Sequence, residues 1–464
     1  MRSFLFALLV TLLVGCGTSP RTDVLMVPQT VPTLYSGFTV QLKALVAHNP
    51  DRRVTWHSNG GQIVANDTKA VFVAPETPGT YTITATSVGD PSASASIAIR
   101  VEAGAGFIQA AVRNASSSQA LSGVSFSYCN TQGCTPTTPV QNPTENPVGD
   151  YSFQLAGGTY TLQAARAGFL PVTIHGVAVR HQQTTFLEQI QLVADQGSLT
   201  GSAGGQITNA QDGTAVPDAL LELRAGINAT SGTVLASAAT NLSGHYTFSN
   251  IQAGSYTATV SKDGFTPNHF TVMVVGGQTI LDQNASISPP IADRQWRFVL
   301  TWGQTPSDLD SHLTGPNPPG AGSGRFHIYF PTASKNYSFN GIRYAELDVD
   351  DTTSFGPETT TIYEPTGGAG VYRFSVHDYS NKDSSSSGAM ATSGAQVRIF
   401  RGATLVATYS VPNRAGTLWT VAELDLTNPS FPILTPINRL SFVSNPAGVQ
   451  RIGELEFFQS LPQK

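Results

Sequence analysis

Gly149-Asp150-Tyr151-Ser152-Phe153, followed by Gly158-Thr159-Tyr160-Thr161 and Ala167-Gly168-Phe169, is repeated further along as Gly244-His245-Tyr246-Thr247-Phe248, Gly254-Ser255-Tyr256-Thr257 and Asp263-Gly264-Phe265. Tyr246 stands 95 residues after Tyr151, and Tyr256 and Phe265 stand 96 after Tyr160 and Phe169, so one module occurs twice. Within each copy a Tyr and a Phe two residues apart share one face of a strand and can fill a core. Asp263-Gly264 suits the turn of a hairpin. The pattern predicts short strands joined by tight turns, an all-β chain.

The same reading extends to both sides. Phe38–Val46 and Thr80–Thr86 alternate with period two, Trp56 sits in Val54-Thr55-Trp56, and Ala74-Pro75 and Pro78-Gly79-Thr80-Tyr81 follow. Over residues 24–102 this resembles the bacterial immunoglobulin-like domains of surface proteins, which places Trp56 in a sandwich core. The duplicated module resembles the carboxypeptidase regulatory-like domain, a prealbumin-type β-sandwich, over residues 103–195 and again over 196–290. The second copy also carries the start of that pattern, Gly205-Gln206-Ile207-Thr208-Asn209-Ala210 leading to Ala219-Leu220-Leu221-Glu222-Leu223. A related adhesin module can form Lys–Asn isopeptide links, but no lysine occurs between Lys69 and Lys262, so the first copy cannot. From Asp293 the composition turns richer in Trp, Tyr, His and Asp. Residues 293–464 are expected to be a larger fourth β domain, with a serine loop tip at Ser384–Ser387 and an extended tail around Asn445-Pro446. The expected architecture is a tandem array of β-sandwich domains.

Length and composition agree. A chain of 464 residues suits three or four domains. Only 12% of residues are charged, against about 25% in a usual soluble domain. The net charge of -5 provides no basic field for phosphate backbones, so no nucleic-acid partner is expected.

At the N-terminus Arg2 precedes the apolar run Phe4–Val14, which is too short for a permanent span, and then Leu13-Val14-Gly15-Cys16. This resembles a bacterial lipobox. The resemblance implies a signal peptide over residues 1–15, acylation (palmitate among the chains) at Cys16, and a lipidated tether over 16–23 that holds the protein to a membrane. Gly17 stands where many inner-membrane-retained lipoproteins carry Asp, so the cell envelope, and the outer membrane rather than the inner, is the expected location. Cys129 and Cys134, flanking a Gly-containing loop in an oxidising compartment, are expected to form a local disulfide. Two thiols alone fall short of a zinc site.

The one notable acidic constellation lies in the C-terminal domain. Trp302 leads to Ser307-Asp308-Leu309-Asp310-Ser311-His312, followed by Leu347-Asp348-Val349-Asp350-Asp351, Gly356-Pro357-Glu358 and His377-Asp378. Asp308 and Asp310 fall on one side of an extended chain, and Asp348 with Asp350 repeat that arrangement. Paired carboxylates brought together repel unless a cation lies between them, and hard oxygen donors favour Ca²⁺. Asp308, Asp310, Asp348, Asp350, Asp351 and Glu358 are therefore candidate calcium ligands. A transition-metal site using His312, His327 or His377 is an alternative, as are turns and solvated edges. The run resembles the C-terminal part of bacterial YfaP-like domains, which brings no established activity.

No His-Glu-x-x-His, Gly-x-Ser-x-Gly, Walker loop or His-x-x-Glu occurs, so no catalytic residue is assigned. The expected function is that of a lipid-anchored envelope protein, its β-sandwich stalk displaying a C-terminal binding domain for a glycan, cell-wall polymer or surface protein. Trp302, Tyr329, Tyr337, Tyr363 and Trp419 are aromatic candidates for contact, most of them expected in cores. Rival readings are an envelope assembly or scaffold protein without a small ligand, and a hydrolase within residues 293–464, where Glu346, Asp348 and Glu358 would be the carboxylates to consider.

Overall fold

A computed structural model describes residues 21–449 apart from 76, 131–137, 323, 365–369 and 430–431. The lipobox with Cys16, most of the tether, Cys134 and the last fifteen residues lie outside the described residues. Two compact units divide the chain, one ending at Gly104 and the other beginning at Ala105. The described residues are almost wholly strands and turns, and no helix among them is long and apolar enough to cross a membrane.

In the first unit two four-stranded sheets face each other. One runs in the order Asp23–Val27, Thr39–Ala47, Lys69–Val73, Gln62–Asn66, the other Leu34–Tyr35, Ser94–Glu102, Gly79–Ser87, Val54–Ser58. Alternation along Thr39–Ala47 buries Leu42, Ala44 and Val46 and leaves the residues between them exposed or half-buried. Trp56 is half-buried against this core and donates its indole N–H to the Asp67 carbonyl, 2.9 Å away.

The two copies of the repeated module have one topology. Ser125–Asn130, Gly158–Ala165 and Val172–Val179 pair in that order in the first, as Leu220–Ala225, Gly254–Ser261 and Asn268–Val274 do in the second. Opposite them, Ala105–Asn114 pairs with Asp150–Ala156, and Thr200–Asn209 with His245–Gln252. The repeated tyrosines do the same work twice: Tyr160 Oη donates to Ala156 O at 2.9 Å and Tyr256 Oη to Gln252 O at 2.7 Å. Asp263-Gly264 occupies the centre of a turn closed by Phe265 N–H on Lys262 O at 3.1 Å, and Gly264 takes φ +84°, a conformation open to glycine. Gly168 does likewise at +81°.

Among the described residues, eleven strands from Trp296 onward build the C-terminal domain: β1 Trp296–Thr301, β2 Leu309–Pro316, β3 Arg325–Ile328, β4 Asn336–Phe339, β5 Ile342–Val349, β6 Glu358–Ile362, β7 Val371–Asp378, β8 Gln396–Arg401, β9 Thr404–Ser410, β10 Leu418–Asp425 and β11 Ile433–Ser441. They form a six-stranded sheet, β4-β5-β6-β1-β8-β9, against a five-stranded one, β3-β2-β7-β10-β11. Phe298 of β1 and Phe374 of β7 stack between the sheets at 4.6 Å. Trp302 and Trp419 are buried there too, with their indole N–H groups on Pro306 O and Asn438 Oδ1. Most of the expected extended tail lies outside the described residues. Pro446–Gly448 is a 3-10 turn capped by Asn445, and Val449 is buried.

Within the second unit the modules are not independent beads. Ile227 of the second copy packs into the core of the first, and its backbone exchanges hydrogen bonds with Thr173 and His175. Ala210 of the second copy meets Val299 and Phe400 of the C-terminal domain. Arg113 of the first copy is buried between Ser118 O, Ala391 O and the Asn413 side chain.

Candidate metal centre

Asp310 and His312 alternate along β2 with Leu309 and Leu313, so the two apolar residues enter the core while the polar pair lies on the other face. β2 pairs with β7 along its length and places Asp310 opposite His377 and Leu309 opposite Asp378. The pairing with β3 reaches only from Leu313 to Pro316, which leaves the start of β2 with an open edge. Glu358, the first residue of β6 in the other sheet, fills that opening. Its Oε2 accepts the Ser311 N–H at 2.5 Å, and the side chain is fully buried.

Asp310, Asp350 and Glu358 offer carboxylate oxygens that all lie within 4.8 Å of one another. Asp308 Oδ1, Asp310 Oδ2, Asp350 Oδ1 and Glu358 Oε1 are buried atoms with no hydrogen-bond partner among the described residues. The electrostatics reflect this crowding. Burial, then the charges of Asp308, Asp350 and Asp378, push the Asp310 carboxyl up to about 8. Burial and then Asp350, Asp351 and Asp378 push Asp308 up to about 6. Glu358 is raised well above the usual carboxylate range, first by burial and then by Asp310. Asp378 is raised mainly by burial, an effect softened by its hydrogen bonds from Asn381. Lys335 Nζ lies 2.7 Å from Asp350 Oδ2 and answers part of this charge. Several buried oxygen donors close together with too little positive charge suit a hard divalent ion.

Two of the six expected ligands are engaged in other hydrogen bonds and fall outside the group of mutually close oxygens. Asp348 accepts hydrogen bonds from Tyr363 Oη at 2.6 Å and Thr361 Oγ1 at 2.5 Å, away from Asp310. The expected two-residue periodicity fails because the β5–β6 ladder shifts register between Leu347 and Val349 and β5 ends before Asp350. Asp351 caps its own turn, accepting from Thr353 N and Oγ1 at 2.7 Å each. Asp378 takes a place near the cluster that its residue type alone did not assign to it. The signal that finds it is the β2–β7 register, which the sequence does not display.

A histidine group adjoins the carboxylates. His312 Nδ1 and His327 Nε2 are 2.9 Å apart, and His327 stacks on Tyr329 at 4.1 Å. His377 Nε2 is 2.7 Å from the Val443 carbonyl. Burial lowers all three histidines, His327 to about 4. The aromatic candidates are engaged in packing or hydrogen bonds: Tyr337 on Phe326 at 4.7 Å, Tyr363 on Asp348, and Tyr329 on the histidines.

Cys129 is buried at the end of its strand, with Sγ 3.7 Å from Thr161 O. Its expected partner Cys134 lies outside the described residues.

Among known proteins, no curated sequence matches this chain. In solved structures it is similar to the Bacillus anthracis TIE protein at 12% identity and a TM-score of 0.24, over 76% of this chain and 68% of that one. It is similar to a homologue of the telluride resistance protein TerD from Streptomyces coelicolor A3(2) at 19% identity and a TM-score of 0.27, over 34% of this chain and 97% of that one. The minor pilin GBS52 of Streptococcus agalactiae matches at 13% identity and a TM-score of 0.17, over 40% and 96%. One family model matches part of the chain, and it covers the second copy of the repeat: residues 202–288 are a carboxypeptidase regulatory-like domain.

Proposed function

We propose that this is a lipid-anchored protein of the cell envelope, held to the membrane at Cys16, whose C-terminal domain is a calcium-stabilised binding module for a glycan, cell-wall polymer or surface protein. The immunoglobulin-like reading of residues 24–102 and the YfaP-like reading of the C-terminal domain belong to this proposal. The observation that carries the calcium is the set of buried, unpartnered oxygens on Asp308, Asp310, Asp350 and Glu358, drawn from both sheets. Leaving a buried carboxylate oxygen without a partner costs about 1–3 kcal/mol, and more for a charged one. Such unpartnered oxygens, on a cluster in which Asp310, Asp350 and Glu358 approach within 4.8 Å, are sustained if a cation satisfies them together. The ion would pin the start of β2 to the start of β6 and so fix the loops at that end of the sandwich. Its part is structural, and binding specificity would belong to the surface it holds rigid.

Calorimetric titration of the chelator-treated full chain with Ca²⁺ tests this. One bound ion per chain, lost in Glu358→Gln and in Asp310→Asn, supports the reading. Absence of heat and of Ca²⁺ retention on dialysis overturns it.

A further inference from the structure

Alongside the oxygen donors stands a different ligand set, and from it we infer a second cation site in which His312 Nε2, His377 Nδ1 and a carboxylate oxygen of Asp310 hold a divalent transition ion of the zinc class. These three side chains offer atoms that lie within 4.8 Å of one another, and all three residues are at most 2% exposed. His312 Nε2, His377 Nδ1 and Asp310 Oδ2 each lack a hydrogen-bond partner among the described residues. The remaining ring nitrogens are engaged. Val443 O can only accept, so His377 Nε2 carries the proton and Nδ1 of the neutral ring presents a lone pair. His312 Nδ1 meets His327 Nε2, and with His312 as donor its own Nε2 is likewise a lone pair. Ligating histidines regularly donate their second N–H to a fixed acceptor, which sets tautomer and ring orientation. Here a backbone carbonyl and a neighbouring imidazole stacked on Tyr329 would do so.

Two imidazole nitrogens and one carboxylate suit zinc and its first-row neighbours, whereas calcium prefers oxygen alone. The inference therefore does not depend on calcium occupying the adjoining group. Because Asp310 belongs to both sets, it would bridge the two ions when both are bound. Three protein ligands leave at least one coordination position for water or a donor atom of an incoming ligand.

The test uses the full chain, purified without a histidine tag, stripped with chelator and titrated with Co²⁺ in excess Ca²⁺. One Co²⁺ per chain with the visible d–d absorption of nitrogen ligation is expected, displaced by Zn²⁺ and not by Ca²⁺. Glu358→Gln should keep this band while losing Ca²⁺, His377→Asn should abolish it while Ca²⁺ binding persists, and His327→Phe should weaken Co²⁺ by about 10–100-fold. Because a histidine variant could misfold, X-ray absorption at the cobalt edge of the wild-type protein gives a second reading, with two imidazole scatterers expected. Co²⁺ that is displaced by Ca²⁺, or a spectrum of oxygen ligands alone, overturns the inference. Nitrogen-ligated Co²⁺ in a protein that ignores Ca²⁺ would overturn the calcium proposal and leave this one standing.

Discussion

Glu358 Oε2 accepts the backbone N–H of Ser311 at 2.5 Å, which ties the first residue of β6 in one sheet to the open edge of β2 in the other. The other oxygen of the same carboxylate is buried without a partner, and the group stands within 4.8 Å of carboxylate oxygens of Asp310 and Asp350. A single side chain thus joins the sandwich mechanically and completes the proposed calcium group.

That double duty has a consequence for Glu358→Gln. In chelator the buried Glu358 carboxyl holds its proton, so the variant, which keeps an acceptor for Ser311 and has no carboxyl to ionise beside Asp310, should be at least as stable as the wild type. In Ca²⁺ the order should reverse. Urea unfolding under both conditions measures it, and an unchanged order in the two buffers would contradict the assignment.

The pH dependence follows from the raised carboxyls. Asp310 moves from 3.8 to about 8 and Asp308 from 3.8 to about 6, so between those limits the folded chain binds more protons than the unfolded one. Stability without calcium is then present at low pH and lost as pH rises through about 6 and about 8. Calcium needs the ionised carboxylates, so its affinity should change in the opposite sense and fall on acidification. Melts in chelator at several pH values, paired with Ca²⁺ titrations, check both signs.

Asp348 provides the contrast. Asp348→Ala removes the acceptor for Tyr363 and Thr361 and should destabilise the domain by about 1.5–3 kcal/mol. Calcium affinity should stay within about twofold, since Asp348 lies outside the group of mutually close oxygens. A large loss of Ca²⁺ binding in this variant would put Asp348 back among the ligands.

The duplication makes a prediction of its own. Tyr160→Phe and Tyr256→Phe each delete a hydroxyl bonded to the carbonyl four residues earlier, and each should cost about 0.5–1.5 kcal/mol. Because the two sites are equivalent, the costs should match within about 0.5 kcal/mol when measured in the full chain.

Some of this organisation is written locally in the chain. The spacing of Tyr151 with Phe153 and of Tyr246 with Phe248 marks the two modules, because a period of two and a repeat offset are local properties. Asp308-Leu309-Asp310 likewise reads as one polar face. The pairing of Asp310 with Glu358 is a different matter, since it depends on two sheets meeting at the open edge of β2. Asp348 misleads for a related reason: a register shift in the β5–β6 ladder is not visible in an alternating Asp-Val-Asp run. Nor does composition show Arg113 buried against Asn413, a contact that joins residues 300 apart in the chain.

Thermal unfolding of the chelator-treated full chain, repeated in Ca²⁺ at about 100 times its dissociation constant, bears most directly on the central claim. Linkage adds about 2.7 kcal/mol to the unit that binds the ion, so the transition containing the C-terminal domain should rise by several degrees, and Asp310→Asn should lose that rise. An identical melt in chelator and in calcium would contradict a calcium-stabilised domain and reduce the buried carboxylates to groups kept neutral by their own repulsion.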